Sequence, residues 1–197
     1  MFRRSLTLAV AAAVTAALAA PAPGALVHVR VEGKHATIFG TTEPHEVAGD
    51  ALQALEVASR VGEFYVHVSD TSFGPYVDEI GLYPAAGFSG WAYKVNGASP
   101  PVGADQYTLR EGDHVLWYWA TFTATGGPPT LSLKRTRHAC YRVTAQDDLG
   151  RKTRALGAVL HLDGRAVRTH GAKACPGPHH GLVRATLPGD VRSNAVR

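Results

Sequence analysis

Signatures of catalysis are scarce in this chain. It has no Gly-x-Ser-x-Gly elbow to present a nucleophile, and its one adjacent acidic pair of interest, Asp78-Glu79, sits on a predicted strand where neighbours point apart rather than across a cleft. Asp147-Asp148 lacks the alternating oxygen ligands of a calcium loop. Ten histidines are present, but the only adjacent pair is His179-His180, and adjacent strand residues point to opposite faces, so the pair makes a poor chelate. These gaps exclude the common hydrolase and metal-centre patterns and predict a protein that is not an enzyme and has no metal site.

Cysteine is equally sparse. Cys140 and Cys175 are the only two, 35 positions apart. In an exported chain such a pair reads as one disulfide, worth ~3 to 4 kcal/mol by loop-closure entropy. Export is expected from the N-terminus. Arg3 and Arg4 precede an apolar run from Leu6 to Leu18, and small residues follow up to Ala25. This is the plan of a secretory signal peptide over residues 1–25, cleaved between Ala19 and Ala25. No cysteine directly follows the apolar run and no second long apolar run occurs, so neither a lipid anchor nor a membrane anchor is expected. The mature chain is expected to be secreted or extracytoplasmic, which also disfavours nucleic acid as a partner.

Charge is divided along the chain. Residues 26–127 hold five Lys/Arg against twelve Asp/Glu, net −7, whereas residues 128–197 hold thirteen against four, net +9. The positive residues are scattered through predicted strands, which fits a solvated surface that also attracts the acidic half. The switch falls at Thr123–Pro129 (TATGGPP), which predicts a linker over 124–129 between two domains, 26–123 and 130–197.

In the first domain, alternation predicts strands at Leu26–Glu32, Ala36–Gly40, Phe64–Val68, Tyr76–Leu82, Trp91–Val95 and Val115–Phe122. One helix follows Asp50, its N-cap, with Gln53 returning toward the cap's amide. It buries Ala51, Ala54, Leu55 and Ala58 and ends at Gly62. Asn96-Gly97 is a hairpin-turn signal. In the second domain, short Val/Ala/Leu strands punctuated by Asp-Gly and Pro-Gly-Asp turns predict a small β-sandwich whose limited core is supplemented by the cystine.

Gly74 to Trp119 holds all three tryptophans and five of the seven tyrosines. On the last strand Val115, Trp117 and Trp119 share one face and Leu116 and Tyr118 the other. With one face covering the helix, the opposite face is expected to leave an aromatic near solvent, as a wall for a planar or saccharide-like ligand.

The segments GPYVDEIGL, GWAYKVNG and VGADQYTLREGDHVLW resemble, in order and spacing, the domain of unknown function named after the C-terminal part of transcobalamin. The resemblance covers residues 26–123 and implies an α+β β-grasp (ubiquitin-like) fold. It also implies cobalamin as a ligand, with Trp91, Tyr93, Asn96 and Gly97 nearest to it; Trp117 and Trp119 join them as candidates from the strand-face argument. No resident cofactor is implied, and the large helical barrel against which vitamin carriers close this module has no counterpart in the sequence. Residues 130–197 resemble the Ig-like repeats of bacterial surface proteins. The expectation is therefore a binding protein that captures a small ligand. An adhesion module facing an envelope protein or polymer is the alternative.

Overall fold

The structure, a computed structural model, describes residues 24–197, so the signal peptide expected over 1–25 falls almost wholly outside the described residues. The described chain is dominated by strands, with one α-helix and several sheets.

The strands of the first half are β1 (Ala25–Glu32), β2 (Thr37–Phe39), β3 (His45–Ala48), β4 (Val66–Thr71), β5 (Gly74–Ile80), β6 (Tyr83–Pro84), β7 (Ser89–Val95) and β8 (His114–Thr121), with helix α1 (Ala51–Gly62) between β3 and β4. β1 lies beside β8 in parallel, β7 pairs antiparallel with β8, and β2 and β3 both pair with the other edge of β1. β4, β5 and β6 form a separate small sheet. The helix packs on one face of the five-stranded sheet, where Val27, Val29, Val31, Val115 and Trp117 meet Ala51, Ala54, Leu55 and Ala58.

The helix start follows the sequence closely, with one displacement. Asp50 accepts the Gln53 amide at 2.7 Å, but the Gln53 carboxamide accepts from Gly49, the residue before the cap, rather than from the cap itself. The helix end differs in its cause. Gly62 is the last helical residue, and the left-handed position is taken by Glu63 at φ 51°. A β-carbon on Gly62 would lie 2.6 Å from the Phe39 ring, so glycine is needed there for close packing rather than for a positive φ. The strand β3, outside the strands predicted from sequence, is a short edge strand that exposes His45 and Val47; its pattern is too brief for periodicity to reveal.

The second half contributes β9 (Thr130–Arg135), β10 (Tyr141–Gln146), β11 (Lys152–Arg154), β12 (Val159–Leu162), β13 (Arg165–Arg168), β14 (Lys173–Ala174), β15 (Val183–Thr186) and β16 (Ala195–Val196). They form two four-stranded sheets, one built on β10 and one on β12 and β15. Between them lies a second core that includes Leu131, Leu133, Tyr141, Val143, Leu160, Leu162 and Val183. Cys140 and Cys175 form the expected disulfide, and it closes beside the paired residues Tyr141 and Ala174 of β10 and β14. The connecting segment is pinned: Thr123 and Gly126 exchange two backbone hydrogen bonds, and the Gly127 amide donates to the Asp148 carboxylate at 3.0 Å.

Candidate functional site

The face of the five-stranded sheet opposite the helix overturns the expectation of an aromatic near solvent. Leu116, Tyr118 and Ala120 on that face are covered by Val191 of the second half, and Tyr118 is only 1 % exposed. Burial pushes its phenol up to about 12.

The same face carries charges that alternation alone would assign to water. Lys94 is fully buried, its ammonium donating to the carbonyls of Asp147 at 3.0 Å and Gln146 at 3.2 Å, with the Asp148 carboxylate at 3.4 Å and the Tyr118 ring beneath it. Desolvation by burial holds the amine below its ordinary value, against the opposing pull of Asp148 and Asp147. Glu32, also fully buried, sits among Arg30 at 3.2 Å, Arg192 at 3.0 Å and Arg184 at 3.4 Å. Two of those arginines belong to the basic half, so part of its charge is used against the acidic half, as the charge division suggested.

Most of the predicted ligand residues are occupied by the fold. Trp91 is 5 % exposed, donating its indole N–H to the Tyr83 carbonyl at 2.9 Å, and Trp117 is 3 % exposed, donating to the Ala51 carbonyl at 3.0 Å. Tyr93 stacks on Trp117 at 5.4 Å and donates its hydroxyl to Val102. Trp119 stands edge-on to Trp91 at 5.7 Å and borders a cleft of about 300 Å³ with Lys34 and Arg192. An aromatic wall of these residues is therefore absent, because their rings pair with one another across β7 and β8. The most exposed large apolar side chains are Phe73, Leu82 and Phe88, all at turns of the first half.

Asn96 and Gly97 behave differently. They form the tight turn the sequence suggests, with φ 52° and 85° and two hydrogen bonds between Val95 and Ala98. A β-carbon on Gly97 would lie 2.1 Å from the Gln146 side chain, so the turn presses directly on the second half. Here the two halves enclose a cleft of about 340 Å³ whose polar lining includes Arg30, Glu43, Asn96, His114, Gln146 and Lys152. Glu43 is the centre of its electrostatics. Its carboxylate lies 3.2 Å from both Arg30 Nε and His114 Nδ1. Burial would raise the Glu43 carboxyl, but the bond from His114 and the charge of Arg30 outweigh it and hold the group below its ordinary value. The hydrogen bond to Glu43 in turn raises the His114 imidazole.

His114 also opens a feature that sequence reading passed over. His28 on β1 is in register with His45 on β3 and with His114 on β8. The His28 ring lies 4.0 Å from His45 and 4.2 Å from His114, stacked on the latter within 9°. Among the described residues no three His, Cys, Asp or Glu side chains are arranged to hold a metal ion as they stand. The adjacent pair His179-His180 is divided: His179 bonds the Tyr141 hydroxyl, while the His180 backbone amide donates to Asp163. Only the pairing of three distant strands could have pointed to the histidine row.

Residues 48–121 match the family described as a domain of unknown function, DUF4430. The match covers the helix through β8, a narrower span than the 26–123 expected, and its description carries neither the transcobalamin name nor a ligand. No curated protein matches the chain. Among solved structures, a candidate metal-binding protein from Ruminococcus gnavus aligns over 50 % of this chain and 99 % of its own, at 16 % identity and a TM-score of 0.37.

Proposed function

We propose that this chain is an exported, non-enzymatic binding protein that takes a small polar ligand in the cleft between its halves. The observation behind this reading is the convergence of Arg30, Glu43, Asn96 and His114 from the first half with Gln146 and Lys152 from the second on one cleft of about 340 Å³. Pockets of that size, at a junction between units, are usual for small ligands. The halves are fastened by buried charges, so the cleft is preformed, which lowers the ordering cost of binding.

The reading treats residues 26–123 as a β-grasp domain and 130–197 as an Ig-like sandwich. The parallel β1–β8 pair with a helix across one face supports the former, and the two facing four-stranded sheets support the latter. Export is supported by the disulfide and by the leader-like N-terminus. Among the described residues no helix is long and apolar enough to cross a membrane. A corrinoid is the ligand implied by the transcobalamin resemblance. Its large macrocycle calls for a wide apolar wall, and here Trp91 and Trp117 are spent on the core.

Titration of the mature protein with cobalamin and, separately, with hydroxy acids and monosaccharides tests the proposal by calorimetry and amide-shift mapping. Shifts clustered at Asn96, Gln146 and Lys152 with a hydroxylated polar ligand are expected. A cobalamin absorbance change would reinstate the corrinoid, and silence across the panel would remove the small-ligand reading. The alternative, adhesion to an envelope partner, is favoured by Phe73, Leu82 and Phe88, exposed by 93, 89 and 83 %. Recovery of one envelope component by the wild type and not by a Phe73→Ser/Phe88→Ser variant would decide for it.

A further inference from the structure

We propose that His28, His45 and His114 form a binding site for a divalent first-row transition ion of the zinc, nickel or copper type. It shares His114 and Glu43 with the cleft described above, but it rests on the histidine row and not on that cleft taking a ligand. Imidazole suits these ions, and three imidazoles with an open fourth position are a sufficient set.

The fold places the three residues in one row across β3, β1 and β8, each directly opposite the next in register. Cross-strand neighbours of this kind share a face, and the row lies on the face that carries Arg30 and Glu32, with His114 at the cleft that faces the second half. The His28 ring centroid lies 4.0 Å from that of His45 and 4.2 Å from that of His114. Two nitrogens bound to one tetrahedral zinc are about 3.3 Å apart, since each bond is about 2.05 Å. The three rings do not converge on one point as they stand, so binding requires them to turn about their side-chain bonds.

Glu43 prepares two of the ligands. His28 Nδ1 is 2.9 Å from the Glu43 backbone carbonyl, and His114 Nδ1 is 3.2 Å from the Glu43 carboxylate. Both oxygens only accept, so each neutral ring carries its proton on Nδ1 and keeps the Nε2 lone pair free. A ligand histidine steadied through its other nitrogen by a carbonyl or carboxylate is the usual outer arrangement around such ions. His45 is exposed and can swing to complete the set. Arg30, paired with Glu43 at 3.2 Å, is the nearby opposing charge, and Glu43 offsets it. Protons compete for the same nitrogens, so binding weakens as pH falls.

The test uses untagged protein. Zinc affinity is measured by indicator competition, and nickel is used to broaden histidine side-chain resonances. One site with broadening at His28, His45 and His114 is expected. His45→Ala, at an exposed position, should weaken zinc at least about 10-fold, and Glu43→Gln about 10- to 100-fold through loss of orientation. Melting curves separate loss of binding from loss of fold for Glu43→Gln. Broadening centred on His170, His179 and His180, unchanged affinity in His45→Ala, or no binding at millimolar zinc would each overturn the proposal. Failure of the cleft to bind any small polar ligand would leave it standing, because its readout is the metal alone.

Discussion

Glu32 and Arg192, 160 residues apart in the chain, meet at 3.0 Å at a buried junction where Glu32 has no contact with solvent. One carboxylate there faces three guanidinium groups, and Arg184 retains buried N–H groups without hydrogen-bond partners. Removing the carboxylate leaves that positive charge uncompensated. Glu32→Gln should therefore destabilise the protein by about 3–5 kcal/mol, measured by urea unfolding. A change below ~1 kcal/mol would show that water reaches the cluster.

Lys94 is the second fastening. Lys94→Met should preserve much of the packing yet strand the carbonyls of Gln146 and Asp147, at about 1–3 kcal/mol. The amine is held below 10.5 in the fold, so between its folded and unfolded values the unfolded chain binds more protons. Stability should rise with pH across that window in wild type, and this rise should vanish in Lys94→Met.

The tyrosines act in the opposite direction. Tyr93 and Tyr118 are both pushed up to about 12 from 10.0, chiefly by burial. Their contribution is complete below 10.0 and is lost as pH climbs through about 12. Tyrosinate absorbance should show a late step that disappears in part in Tyr118→Phe, coincident with unfolding.

Glu43 and His114 set an acid-side window. The Glu43 contribution is present above 4.5 and fails as pH drops through its lowered folded value. The His114 contribution is present below 6.5 and fails as pH rises through its raised folded value. Their pair should therefore support the fold most between these limits. Histidine proton shifts followed by NMR should show His114 titrating above 6.5 in wild type and moving downward in Glu43→Gln.

Reduction of Cys140–Cys175 should lower stability by about 3–4 kcal/mol, from a separation of 35 residues. Hydrogen exchange should then rise first in β10 and β14, which flank the bridge, while the helix side of the first half keeps its protection.

Local elements were legible because local forces make them. The alternation of β1, the Asp50 cap and the Asn96-Gly97 turn each depend on a few adjacent residues. The outer face of the sheet was not legible. Arg30, Glu32 and Lys94 alternate with valines and a tyrosine as solvent-facing residues do, and only coverage by the second half makes them buried. The aromatic site failed for a related reason: Trp91, Tyr93, Trp117 and Trp119 fall on paired strands, and their rings satisfy one another.

By itself the sequence determined the strand-rich character, the helix after Asp50, the cystine and the charge division, since each follows from composition or from contacts short along the chain. Tertiary structure alone decided which polar residues are buried and which histidines meet. His28, His45 and His114 are separated by 17 and 69 positions, and only the register of β1 against β3 and β8 brings them into one row. Strand register is a property of long-range pairing, and the residues between carry no periodic sign of it.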